Sequence, residues 1–149
     1  MHRHVYVVED HPVLRQAYTG IIGASDDLRV VGMAASASEA MAGLEGLDVD
    51  VAIVDVSLGG ARGTAHGIDL VGEIHRTWPA LRMLVVSGHD EAVYAERALS
   101  AGARGYLMKH EAGENLLPAL RRVLLGDVAV SDRMTELLPE SLRAPLPAC

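Results

Sequence analysis

Phenylalanine is absent from the 149-residue chain, and aromatic residues of any kind make up only 3% of it. A core must therefore be assembled from Val, Leu, Ile, Ala and Met, which dominate a hydrophobic fraction of 50%. A single cysteine, Cys149, excludes an internal disulfide and fits a reducing compartment. Acidic residues outnumber basic ones, 20 against 13, for a formal charge of -7. That balance argues against nucleic-acid binding by this segment alone, because phosphate contact needs clustered cations. No apolar run reaches the ~20 residues of a membrane span. Met1-His2-Arg3-His4 leads straight into a strand pattern, without the apolar stretch of a signal peptide. The expectation is a soluble cytoplasmic protein of one-domain size.

What is present is a regular alternation. Apolar runs of strand length occur at Val5–Val8, Leu28–Ala34, Val51–Val54, Met83–Val86 and Gly105–Met108. They are rich in Val, and several are apolar almost throughout, as in strands covered on both faces of a parallel sheet. Helical patterns lie between them. Pro12 opens the first, which runs to about Ala24. Ser36-Ala37-Ser38-Glu39 is a capping-box pattern opening the second, to about Leu44. The third spans Ile68 to Trp78, with Leu70, Val71 and Ile74 on one face and Pro79 as its stop. The fourth spans Asp90 to Ala101 and the fifth about Ala112 to Leu125, each followed by a glycine. Pro118 falls inside the fifth and should kink it or delay its start. Strict strand–helix alternation implies right-handed crossovers and a doubly wound, five-stranded parallel α/β fold in three layers. The domain is assigned to residues 1–130; residues 131–149 read as one short helix followed by a Pro-rich linker.

In such folds ligands bind outside the carboxyl ends of the strands. Those ends carry Glu9 and Asp10 after strand 1, Asp55 after strand 3, Ser87 after strand 4 and Lys109 after strand 5. Taken singly, each residue is ordinary: an Asp after a strand is usually a turn or N-cap residue. Together they put three carboxylates, a hydroxyl and an ammonium along one sheet edge. Lys109 adds weight of its own, as the one lysine in a chain with twelve arginines. Lys is a compact point charge on a flexible stem and is not equivalent to the planar Arg fork at a crowded site. Adjacent acids suit a hard divalent cation such as Mg²⁺, which prefers oxygen ligands. Beside such a cation the Asp55 carboxylate is placed to act as a nucleophile toward a phosphoryl group, with Lys109 and Ser87 meeting the phosphoryl oxygens.

The stretches "VVEDHP", "AIVDVSL", "GIDLVGEI", "LVVSGHDE" and "ALSAGARGYLMKH" together resemble the receiver domain of bacterial two-component response regulators. The resemblance covers residues 3 to about 130, and the last two stretches look most like the NarL/LuxR branch. It implies the (βα)5 flavodoxin-like receiver fold. By position it implies Asp55 as phosphoacceptor, Asp10 as a direct Mg²⁺ ligand, Glu9 as a ligand mainly through water, and the Ser57 backbone carbonyl as a further ligand. It likewise implies Ser87 as switch hydroxyl, Tyr106 as switch aromatic, and Lys109 as the partner of the phosphoryl group. The implied donor is a sensor histidine kinase, replaceable by acetyl phosphate. The implied output, usually transcription, runs through the face of helix 4, strand 5 and helix 5, with a possible homodimer. DNA would be met only through a C-terminal helix-turn-helix that the sequence does not contain; the chain is then an excised receiver or a stand-alone one, and the Pro-rich end, Ala144-Pro145-Leu146-Pro147, reads as the start of an interdomain linker and favours the first. The alternative is a pseudo-receiver, an interaction module that is not phosphorylated; the intact set of Asp10, Asp55, Ser87 and Lys109 speaks against it. A flavodoxin-like cofactor site is disfavoured because no Gly-rich phosphate loop follows strand 1. An Asp-nucleophile phosphatase would want a second carboxylate at Ser57.

The stretch from Ser57 to Gly67 departs from the family. It is about four residues longer than usual and has Gly59 where proline is common, so it is expected to be a mobile loop that modulates access to Asp55. Of the seven histidines, His2 and His4 lie at the terminus, and His66, His75, His89 and His110 share no metal-ligand spacing. His11 and His89 merely border the site.

Overall fold

β1 (Arg3–Val8), β2 (Leu28–Ala34), β3 (Val51–Asp55), β4 (Arg82–Ser87) and β5 (Gly105–Met108) form one parallel sheet in the order β2-β1-β3-β4-β5. The computed structural model that shows this describes residues 2–56, 63–88 and 92–143. Alternation along each strand divides the core into two layers. Val5, Val7, Ile53, Leu84, Val86 and Leu107 face one way; Tyr6, Val8, Val54, Met83, Val85 and Tyr106 face the other. The first layer is covered by α1 (Pro12–Gly23) and α5 (Ala112–Leu124). The second is covered by α2 (Ala37–Leu44), α3 (Gly63–Thr77) and α4 (Ala92–Ala101). Both faces are therefore buried, which is why the strands read as nearly continuous apolar runs.

Local chemistry sets the helix ends. Pro12 occupies the first turn of α1. Ser36 Oγ accepts from the Glu39 N–H at 3.2 Å while Glu39 Oε2 accepts from the Ala35 N–H at 2.7 Å, so the capping box forms as read. After α4 and α5, Gly102 and Gly126 adopt positive φ, +124° and +93°.

Several boundaries differ from the sequence reading. β1, β3 and β4 extend into flanking polar residues, because ladder hydrogen bonding continues past the apolar run. α3 begins at Gly63, five residues before Ile68, so the end of the expected 57–67 loop is helical. Its first turn is polar and glycine-containing and shows no apolar periodicity. The expected start of α4 at Asp90 lies outside the described residues. Pro118 does not delay α5, which starts at Ala112 with the proline inside. Glu114 and Pro118 both lie on the exposed side of the helix.

Beyond α5 the chain returns to the sheet. Ala129 bridges Gly105 in parallel, the Tyr106 N–H donates to the Ala129 carbonyl at 2.9 Å, and the Ala129 N–H donates to the Arg104 carbonyl at 2.9 Å. The expected single short helix is met by two, α6 (Asp132–Leu137) and α7 (Glu140–Arg143). Met134 and Leu138 are buried in the same core layer as Tyr106. The Pro-rich end lies outside the described residues. Among the described residues, no helix is long and apolar enough to cross a membrane.

Candidate functional site

β1 is flanked by β2 on one side and β3 on the other, so the strand order reverses between β1 and β3. This topological switch opens a crevice at their carboxyl ends. Glu9 and Asp10 follow β1, and Asp55 ends β3, so the acids flank that crevice. Ser87 ends β4 and pairs in register with Met108, and Lys109 follows directly. The sequence-assigned residues Glu9, Asp10, Asp55, Ser87 and Lys109 thus share one edge.

Among the described residues the buried polar or charged side chains are Glu9, Asp55 and Ser87, each 0% exposed. Their burial inside an apolar sandwich is costly unless something offsets it. Lys109 supplies part of the offset. Its Nζ lies 3.3 Å from Asp55 Oδ2, a hydrogen-bonded ion pair, and 3.9 Å from Glu9 Oε1. The pair leaves a surplus of negative charge. Burial, the hydrogen bond with Asp55 and the Asp55 charge push Glu9 up to about 9, against weaker opposition from Lys109 and the His11 N–H. Without a further cation, Glu9 keeps its proton at neutral pH.

The donor set fits a divalent cation. Ligand atoms of Glu9, Asp10, His11 and Asp55 all lie within 4.8 Å of one another. Glu9 Oε1 and Asp10 Oδ1 are buried without a hydrogen-bond partner. Their nearest charged neighbours are Lys109 Nζ at 3.9 Å and His11 Nδ1 at 3.2 Å, and buried carboxylate oxygens this close together without a hydrogen bond are what a hard cation satisfies. The Ser57 carbonyl and His89 lie outside the described residues. Tyr106 is buried, 3% exposed, with its ring in the α4 layer.

Three residues around the acids escaped sequence reading or were left at the margin. His11 Nδ1 lies 3.2 Å from Asp10 Oδ1 and 3.7 Å from Glu9 Oε2. Arg15 Nη1 donates to the Glu9 carbonyl at 3.0 Å, pinning α1 to the end of β1. Tyr18 is buried, and burial with the charges of Glu9 and Asp55 pushes its hydroxyl well above the usual range. The signal was available: residues 11, 15, 18 and 22 follow one face of a helix.

A family profile described as "Response regulator receiver domain" matches residues 5–121. The chain is 32% identical over 142 residues to the nitrate/nitrite response regulator protein NarL of Escherichia coli K12, covering 94% of this chain and 63% of that protein. It is 36% identical over 141 residues to the DNA-binding transcriptional activator DevR/DosR of Mycobacterium tuberculosis H37Rv, covering 93% and 62%. It therefore spans under two thirds of the length of these relatives. Among solved structures, a LuxR-family two-component response regulator from Aurantimonas sp. SI85-9A1 superposes with a TM-score of 0.82 at 28% identity, covering 91% of this chain and 94% of that one.

Proposed function

Because the chain belongs to the response regulator receiver family, in its NarL/LuxR branch, we propose that it is a phosphorylation switch whose acceptor is Asp55. The observation that carries this reading is the Lys109–Asp55 ion pair of 3.3 Å at a crevice lined by Glu9 and Asp10.

In the proposed step an Asp55 carboxylate oxygen attacks the phosphorus of a phosphohistidine on a sensor histidine kinase. A P–O bond forms, the P–N bond breaks, and the imidazole leaves with the bonding pair and takes up a proton. With acetyl phosphate the broken bond is P–O and acetate leaves. Glu9, Asp10 and Asp55 would hold Mg²⁺, with the Ser57 carbonyl as a further ligand. The cation would supply charge neutralisation at the phosphoryl oxygens. Lys109 holds Asp55 in place beforehand and meets a phosphoryl oxygen afterwards. The Ser87 hydroxyl, fully buried at the end of β4, donates to another. The new dianion recruits these donors, and the change passes to Tyr106 and the face of α4, β5 and α5. Receiver phosphorylation then governs an output domain, by analogy with the DNA-binding relatives. A homodimer through that face, and DNA contact only through a helix-turn-helix outside this sequence, complete the proposal. The domain acts on itself and turns over no metabolite.

Intact-protein mass spectrometry after incubation with acetyl phosphate tests it. The expected result is one phosphoryl adduct that requires Mg²⁺ and is lost in Asp55→Ala. No adduct from acetyl phosphate or a phosphorylated kinase domain, with no Mg²⁺ binding, would leave an unphosphorylated interaction module.

A further inference from the structure

Two elements run from the acidic crevice toward the β5 edge of the sheet. β5 reaches the crevice at its carboxyl end, where Lys109 follows Met108. The β4 chain leaves the crevice at Ser87 and Gly88 and enters α4. The segment after α5 packs on both of these elements. Val128–Val130 lines the open edge of β5 through the Gly105–Ala129 bridge and the two 2.9 Å backbone bonds at Tyr106 and Ala129. α6 and α7 lie against α4. Met134 of α6, 3% exposed, and Leu138 just after it, 4% exposed, share a cluster with Ala95, Ala98 and Leu99 of α4 and with Tyr106 of β5.

From this placement we infer that residues 128–142 form a latch that occupies the α4–β5 face, and that phosphorylation of Asp55 releases it. The inference rests on Asp55 being the acceptor. Its basis is distance along the chain: Lys109 lies three residues from Tyr106, whose N–H holds the latch. A pull on Lys109 toward a phosphoryl group acts on a four-residue strand bonded to the latch at its other edge. Packed elements of this kind repack between discrete arrangements more readily than they stretch. The latch is itself modest. α6 has six residues and α7 four, helices too short to persist in water without packing. Their attachment depends on Met134, Leu138 and the partly buried Leu142.

Hydrogen exchange on the full chain, with and without Mg²⁺ and beryllofluoride as phosphoryl mimic, tests the latch. Two reporters are available: the Thr135 N–H, bonded to the Ser131 carbonyl at 2.9 Å, and the Leu138 N–H, bonded to the Met134 carbonyl at 3.1 Å. Both should exchange roughly tenfold faster with the mimic, while the Val56 N–H beside Asp55 slows. Slowing at Val56 with unchanged exchange at Thr135 and Leu138 would overturn the latch and leave the acceptor reading standing. No response at Val56 would remove the acceptor reading and the coupling with it. A double variant, Met134→Asp with Leu138→Asp, adds the reciprocal test, with folding checked by circular dichroism. Linkage requires that a latch already released strengthens beryllofluoride binding by the factor with which binding releases it. Several-fold tighter binding is expected; equal affinity in a folded variant would refute the coupling.

Discussion

Lys109 Nζ stands 3.3 Å from Asp55 Oδ2, although β4 lies between the strands that carry them. The lysine therefore spans the width of one strand at the sheet edge to meet the buried carboxylate. A slender stem with a compact charge suits such a site better than a planar fork.

Removing that charge should disable the acceptor without unfolding the domain. Lys109→Ala is expected to slow Mg²⁺-dependent adduct formation by about 10²-fold, the usual cost of one oxyanion donor. Lys109→Arg should recover only part of the rate. Adduct accumulation followed by mass spectrometry reads both. A wild-type rate in Lys109→Ala would assign phosphoryl neutralisation to other groups.

Cation binding should be coupled to a proton. Glu9 sits at about 9 in the cation-free fold against an ordinary 4.5. A folded-state value above the unfolded one gives a contribution that is fully present below 4.5 and is lost as pH rises through 9. Cation-free protein should therefore lose stability across that window. A divalent cation requires the carboxylate, so its affinity should rise over the same window. Binding near neutrality should expel about one proton. Calorimetric titration with Mg²⁺ in buffers of different ionisation enthalpy measures that number, and Glu9→Gln should abolish it.

α3 is seated against the end of β3 through a glycine. A Cβ on Gly67 would overlap the Val56 backbone, next to Asp55, where nothing flexible can yield. Gly67→Ala should cost about 1–3 kcal/mol and weaken Mg²⁺ binding by shifting the chain after Asp55. On the same helix, a Cβ on Gly72 meets only the Arg76 Nη1 at 3.3 Å. Gly72→Ala should leave stability unchanged or raise it by up to about 1 kcal/mol. Thermal melts of the two variants provide the comparison.

Pro118 interrupts the hydrogen bonding of α5 at an exposed position. Pro118→Ala restores an N–H to the Glu114 carbonyl and should stabilise the domain by about 1–3 kcal/mol, or several degrees in Tm. An unchanged Tm would mean that the Glu114 carbonyl already has an equivalent partner.

Much of this arrangement was legible in the residues. Val-rich runs buried on both faces announce a parallel sheet, since only a covered sheet tolerates Val5–Val8 or Val51–Val54 unbroken by polar residues. Punctuation by Pro12, the Ser36 box, Gly102 and Gly126 set the helix ends through local chemistry. The rule that ligands gather at strand carboxyl ends then marked Glu9, Asp10, Asp55, Ser87 and Lys109. The first turn of α3 was not legible, because a polar, glycine-containing helix start has neither period nor cap. The role of Arg15 was missed although its partner, the Glu9 carbonyl, is only six residues away, and that of Tyr18 because β3 brings the Asp55 charge to it.

The sequence by itself determined the alternation of elements, the class of fold and the residue types at the sheet's edge, all properties of local pattern. Tertiary structure alone decided which of those groups meet. It set the strand order that opens the crevice between β1 and β3, and it packed Glu9 and Asp55 closely enough for one to hold a proton. It also decided the course of the chain after α5. Residues 131–142 look like a connector because Met134, Leu138 and Leu142 are too few to announce a core. They become part of one only where α4 and the edge of β5 supply the other wall.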